Sequence, residues 1–284
     1  MQYIIPEQTK LADAIQFLYP DSSKRTLQNW LKAGRFSVNG RRALKGNLVL
    51  EKGAVVSSEE TFRTPKVPGL KIIYEDRYLI GIEKPSGLLS VPLDDETGTN
   101  HALGRLREHF RSDAIFAVHR LDREASGTLI FARGSTAEQK MKDLFEAHDL
   151  ERRYFAIIEG NLKEDEGTWD IPLLELPSYR VVPSEAGKDA TTHFKVIRRS
   201  SKYTYVWITL ETGRKHQIRV HCQTIGHPIL GDARYGSQEN PIERLCLHAV
   251  SLTFVHPFTQ KNVSLISPIP LSFKKLGAPT RIEK

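Results

Sequence analysis

The sequence predicts an α+β chain in two parts, a large sheet-based body and a small α/β unit in front of it. Three observations carry this expectation. β-prone runs recur from Ile72 to Leu265, some paired as hairpins, with a few amphipathic helices among them. Charge is uneven: residues 1–66 hold 11 Lys and Arg against 6 Asp and Glu, while the remaining 218 hold 30 against 28. Between the two parts, Ser57 to Leu70 carries two prolines and little periodicity, as a linker does.

In the first part, Thr9 is placed to cap a helix with Leu11, Ile15 and Leu18 on one face. Ser22 or Ser23 caps a second, burying Leu27, Trp30 and Leu31 and ending at Gly34. Phe36 and Val38 alternate up to Asn39-Gly40, a strong hairpin signal, and strands near Val49-Leu50 and Ala54–Val56 close the unit. Lys24, Arg25, Lys32, Arg35, Arg41, Arg42 and Lys45 occur here without a single carboxylate between the first and the last. Such a run suits a solvated face or a grip on phosphates, and the lack of acids favours phosphates.

The larger part opens with Ile72–Tyr74 and Tyr78–Ile82 as a hairpin, broken by Lys84-Pro85-Ser86-Gly87. Thr99 precedes a helix with Leu103, Leu106 and Phe110 on one side, and Ser135-x-x-Glu138 reads as the capping box of another that buries Met141, Leu144 and Phe145. Arg152–Gly160 is a strand with Tyr154, Ala156 and Ile158 on one face. Tyr154 suits either packing or stacking on a base. The stretch Gly187–Phe194 enters another strand, and Tyr203–Leu210 is strongly β-prone. Thr212 then caps a helix ending at Gly226, with Ile218, Cys222 and Ile225 inward and Arg219 at the edge of the buried face. Late strands lie at Leu247–Ala249, Phe254–Phe258 and Val263–Leu265.

Chemistry concentrates in His119-Arg120-Leu121-Asp122-Arg123-Glu124-Ala125-Ser126-Gly127, a polar loop between the apolar runs Ala114–Val118 and Thr128–Ala132. An Asp flanked by arginines on a rigid loop suits a nucleophile or general base, and equally a surface ion-pair loop.

Several classes are disfavoured. No run of about 18 apolar residues spans a membrane, and Met1–Pro6 lacks the charged and apolar regions of a signal peptide. Two cysteines, Cys222 and Cys246, indicate no disulfide framework and point to a reducing, cytoplasmic setting. His221-Cys222 and Cys246-Leu247-His248 do not make metal pairs, since neighbours on a helix diverge by about 100° and no C-x-x-C occurs. Phosphate loops of nucleotide enzymes and the G-x-S-x-G elbow are missing.

Four segments occur in one order: Lys84–Gly87, His119-Arg120-Leu121-Asp122, Arg153-Tyr154, and Gly213-Arg214-Lys215-His216-Gln217-Ile218-Arg219-Val220-His221, with Gly226–Asp232 after them. From about residue 71 to 270 the chain thereby resembles the RluA-type pseudouridine synthases, and residues 10–58 resemble a small S-four-like RNA-binding domain. The resemblance implies a catalytic domain over 71–284 with a central mixed, mainly antiparallel sheet, a linker over 61–70 and an RNA-binding domain over 1–60. It implies isomerisation of uridine to pseudouridine in structured RNA, large-subunit ribosomal RNA first and transfer RNA second, without cofactor or metal, by a monomer. A non-catalytic RNA-binding or ribosome-assembly protein on the same fold is the alternative. Asp122 would be the catalytic carboxylate, by attack or by removal of a ribose proton, with Arg219 as counter-ion and Tyr154 against the base. Arg120 would fill the stack that the flipped uridine leaves, and Lys84, Lys188 and Lys215 would meet phosphates.

Overall fold

The computed structural model describes residues 2–19, 22–32, 34, 36–58, 67, 69–92 and 100–279. The chain divides into two units, Met1–Pro65 and Lys66–Lys284. The first runs β1 (Gln2–Ile4), β2 (Thr9–Lys10), α1 (Leu11–Leu18), α2 (Lys24–Lys32), β3 (Phe36–Val38), β4 (Arg41–Ala43), β5 (Val49–Leu50) and β6 (Val55–Ser58). Strands β1-β6-β3-β4 make an antiparallel sheet, and β2 pairs with β5. Leu11, Ile15, Leu27, Leu31, Phe36, Leu50 and Val56 close over one another as its core. Asn39 and Gly40 both take positive φ, 50° and 78°, as the tight turn between β3 and β4 demands.

Ser23 caps α2, its Oγ accepting from Thr26 N–H at 3.1 Å. Thr9 does not cap α1; it pairs with Leu50 in β2, and Lys10 stands at the cap position without a side-chain bond. The expected linker lies mostly outside the described residues, but Val67 and Leu70 do not belong to it. Both are buried in the core of the larger unit and pair with each other.

The larger unit continues with β7 (Lys71–Glu75), β8 (Leu79–Lys84), α3 (Ala102–Phe110), β9 (Ile115–Ala117), β10 (Ser126–Arg133), α4 (Ser135–Glu146) and β11 (Leu150–Glu159). Then come β12 (Glu166–Asp170), β13 (Leu173–Glu175), β14 (Val181–Pro183), β15 (Thr191–Arg199), β16 (Tyr203–Leu210), α5 (Gln217–Thr224), β17 (Leu247–Val255), β18 (Asn262–Ile266) and α6 (Leu271–Lys274). Ten strands form one sheet in the order β12-β15-β16-β11-β17-β10-β8-β7, with β9 on β10 and β18 on β17. Every ladder is antiparallel except β10 on β17. This is the mixed, mainly antiparallel α+β architecture that the sequence predicts.

Helix α3 follows Thr99 as expected, and the starts of two other helices differ from expectation. Thr99 lies outside the described residues, and His101 caps α3, its Nδ1 accepting from Gly104 N–H at 2.9 Å. Helix α4 already includes Ser135, so no capping box forms, and Glu138 pairs with Lys142 instead. Helix α5 starts at Gln217 rather than near Thr212, whose hydroxyl accepts from Thr191 N–H and donates to the Gln217 side chain.

Candidate active site

The short parallel ladder between β10 and β17 sets the place of the polar loop. It pairs Ser126 with His248 and Gly127 with Ala249. A Cβ on Gly127 would lie 2.1 Å from the Ala249 carbonyl oxygen, so only glycine lets the backbones approach this closely. Ser126 Oγ accepts from Arg244 at 2.6 Å and donates to His248 Nδ1 at 2.7 Å. At the other end, His119 Nε2 accepts from Ile130 N–H at 3.1 Å. Burial, helped by the Arg152 charge, pushes His119 down to about 3, which keeps it a neutral acceptor.

The loop between these anchors is braced by the segment after β8. Lys84, expected at a phosphate, is fully buried; its Nζ donates to the carbonyls of Pro85, Leu88 and Arg123 at 2.7–3.1 Å. Three acceptors around one ammonium leave it no bond for RNA, so its role is corrected to that of a clamp on the loop. Ser86 Oγ donates to Glu124 O, and Ser90 Oγ both donates to Leu121 O and accepts from Leu121 N–H.

Against this braced loop comes Arg219 from α5, 3% exposed. Its Nη1 lies 3.1 Å from Asp122 Oδ2 and 3.5 Å from Glu124 Oε2. Its Nε and Nη2 form a fork on Asp232, at 2.7 and 2.8 Å, and Tyr235 lies 5.1 Å beneath the guanidinium. Burial alone would lower Arg219; the Asp232 bonds and the Asp122 charge more than reverse it, so its proton is held more tightly than usual. The helix carrying it is fixed by Gln217, whose amide nitrogen donates to Thr191 O and Thr192 Oγ1 and whose oxygen accepts from Thr212 and Arg214 N–H.

His216 completes the surround, with Nε2 3.8 Å from Asp122 Oδ1. The Tyr235 hydroxyl accepts from Val181 N–H, which leaves its proton for His216 Nδ1 at 2.7 Å. Burial lowers His216 against the opposing pull of Asp122, so the neutral ring carries its hydrogen on Nε2, facing the carboxylate. Tyr154, on β11, is only 9% exposed. Burial raises its hydroxyl, with Arg152 pulling it down and the Asp122 charge pushing it up, so the two groups share one electrostatic neighbourhood.

Asp122 and Arg219 are therefore in contact, with Tyr154 within reach of the Asp122 field. Arg120 is exposed on the loop, and its charge reaches Glu175. Lys188 is exposed beside β13, and Lys215 is paired with Glu175. In the first unit Arg25, Lys32, Arg41, Arg42 and Lys45 are exposed, while Arg35 lies outside the described residues. His216, Glu124, Tyr235 and Asp232 are parts of the site without an assigned role in the sequence. Asp232 stands in the quoted Gly226–Asp232 segment, but a partner 13 residues beyond Arg219 follows no helical or strand period. His221 and His248 are hydrogen-bonded to Ile171 O and to Ser126 and Ser267, and among the described residues no group of three His, Cys, Asp or Glu side chains could hold a metal.

The site is thus a braced acidic loop facing a buried guanidinium, suited to catalysis by a carboxylate, on a mixed, mainly antiparallel α+β fold. Human RNA pseudouridylate synthase domain containing 1 shares that fold at TM-score 0.61 and 24% identity, covering 73% of this chain and 86% of its own. The RNA pseudouridylate synthase family model matches residues 78–224. The uncharacterized RNA pseudouridine synthase YhcT of Bacillus subtilis is 35% identical over 270 residues, 90% of this chain and 88% of its own. Ribosomal large subunit pseudouridine synthase D of Xanthomonas campestris is 31% identical over 288 residues, 93% and 86%. The dual-specificity RNA pseudouridine synthase RluA of Pasteurella multocida is 36% identical over 214 residues, 73% and 97%. The chain belongs to the RluA-type RNA pseudouridine synthases, enzymes that isomerise uridine in RNA.

Proposed function

We propose that this isomerase acts on structured RNA, large-subunit ribosomal RNA foremost, through the Asp122 carboxylate on a uridine turned out of its helix. The observation that carries this reading is Asp122 Oδ2 lying 3.1 Å from a guanidinium that Asp232 holds in place from behind. The guanidinium sets a fixed positive charge beside the carboxylate, with its own orientation held by a second acid. The bond from ribose C1′ to uracil N1 breaks, the base turns, C1′ joins C5, the C5 proton leaves and N1 ends protonated. Asp122 starts the sequence by attack at the ribose or by removing a ribose proton; Arg219 steadies its charge, and the Tyr154 ring lies against the base. Arg120, exposed on the same loop, takes the place the uridine vacates.

The first unit serves as an S-four-like RNA grip, since Arg25, Lys32, Arg41, Arg42 and Lys45 are all exposed on it. Lys188 and Lys215 add phosphate contacts beside the site. The enzyme works as a cytoplasmic monomer, and the word "ribosomal" in the Xanthomonas relative's name supports the choice of RNA. Transfer RNA is the second choice, in keeping with the term "dual-specificity" in the Pasteurella relative's name.

Tritium release from RNA labelled at uridine C5 tests the chemistry. Asp122→Asn is expected to lower release by about 10³-fold or more while RNA affinity stays within a few-fold. Release at the wild-type rate would overturn the role of Asp122. Pseudouridine maps of ribosomal and transfer RNA from cells with and without the protein decide between the two substrates.

A further inference from the structure

Between β13 and β14 the chain turns through Leu176–Arg180, closed by Leu176 N–H on Arg180 O at 2.8 Å and Tyr179 N–H on Leu176 O at 2.9 Å. Tyr179 holds this turn at a φ of 59°, a conformation that Gly or Asn adopts far more readily. The residue is 70% exposed. A large aromatic in a left-handed, solvated position adds nothing to the core and is not the residue the turn itself favours.

The mount beneath it is rigid. Leu173 and Val181, the feet of the hairpin, are buried with Val220 of α5 and Tyr235. Lys188 exchanges backbone hydrogen bonds with Leu173 at 2.8 and 2.9 Å, and a Cβ on neighbouring Gly187 would lie 2.4 Å from the Leu173 backbone. Arg234 donates to the Tyr179 carbonyl at 2.8 Å. Lys215, pinned by Glu175, sets its ammonium 5.1 Å from the Tyr179 ring centroid. Tyr235 ties this mount to the reacting centre, because its hydroxyl joins Val181 of the hairpin to His216, the neighbour of Asp122.

We propose that Tyr179 is a stacking platform for an RNA base flanking the target uridine, with Arg180 and Arg234 beside it for the adjoining phosphates. The inference rests on Asp122 marking the reacting centre. Turning one nucleotide out leaves its neighbours without a stacking partner, and an exposed ring accepts any base on its face. The cations beside it, Arg180 and Arg234, are exposed, so the surroundings favour a phosphate chain over a protein partner.

The test compares Tyr179→Asn, which suits the left-handed turn, with Tyr179→Phe, on in vitro transcribed large-subunit ribosomal RNA labelled at uridine C5. Asn is expected to raise KM on the order of tenfold, with the loss on KM rather than kcat, and Phe to retain the wild-type KM. The dependence of binding on salt should keep its slope in Tyr179→Asn and flatten in Arg180→Gln, because stacking releases no counter-ions. A KM within twofold of wild type for Asn, or equal losses for Asn and Phe, would overturn the platform; the former would leave a protein contact as the use of the ring. Absence of release by the wild-type enzyme would fault the proposed substrate, a different failure.

Discussion

The two units handle charge in opposite ways. In the first, core and charge are kept apart: the buried side chains are apolar, and the six described cations between Lys24 and Lys45 are all exposed. In the second, Lys84, Arg152, Arg219 and Asp232 lie inside, each 9% exposed or less. Gripping a polyanion asks only for positive charge at the surface, where water screens it and no fixed geometry is needed. Chemistry on an uncharged base asks for a charged group in a partly dry place, and each buried charge then requires partners of its own. The site is expensive to build for this reason, and mutations should fall on the two units with very different weight.

The largest effect is expected where a buried partner is removed. Asp232→Asn leaves the Arg219 guanidinium inside with half of its fork gone, a loss of about 3–5 kcal/mol. For a unit of this size that corresponds to a fall in Tm of roughly 10 °C, accompanied by loss of tritium release. Arg42→Gln, a change of charge of the same size and opposite sign on the first unit, should stay within about 0.5 kcal/mol. Similar melting shifts for the two variants would erase the contrast between the units.

Lys84→Met comes next. It fills the same space but strips the donor from three carbonyls, at about 1–3 kcal/mol, and loosens the loop that carries Asp122. This clamp also gives a pH signature. Burial, only partly offset by the Asp122 and Glu124 charges, pushes Lys84 down to about 7. Between that value and about 10.4, the unfolded chain holds a proton that the folded one has released, so this group makes stability rise with pH across the window. Thermal melts at the two ends of the window should show this gain in the wild type and a smaller one in Lys84→Met; an equal gain in both would mean that Lys84 does not titrate there.

The same contrast explains what was legible in the sequence. The surface cations could be counted directly, and the spacing of four marked Ile218 and Cys222 as buried, although Val220 and His221 between them are buried as well. The polar loop around Asp122 stood out because apolar strands flank it. Arg219 looked like an edge residue, because a helical period does not show that a carboxylate arrives from a later turn to let it sink. Lys84 looked exposed for a related reason: the carbonyls that surround it belong partly to Arg123, far along the chain. The caps at Thr9 and Thr212 were misplaced because the Thr9 backbone pairs with Leu50 in the β2–β5 ladder and the Thr212 hydroxyl joins the Gln217 network.

The smallest effect on turnover itself is expected from removing the first unit. The larger unit keeps its own core, its sheet and all the contacts around Asp122 when residues 1–60 are deleted. Once RNA is saturating, kcat should therefore stay within a few-fold of wild type. Affinity should fall, and more at low salt than at high, because the lost contacts are with phosphates. If all six described cations between Lys24 and Lys45 meet phosphates, the slope of log K against log salt should shrink by roughly 4 to 5. Fewer contacts shrink it in proportion, so the measured change counts the cations that touch RNA. An unchanged slope would make this basic face a merely solvated one and assign RNA binding to the larger unit alone.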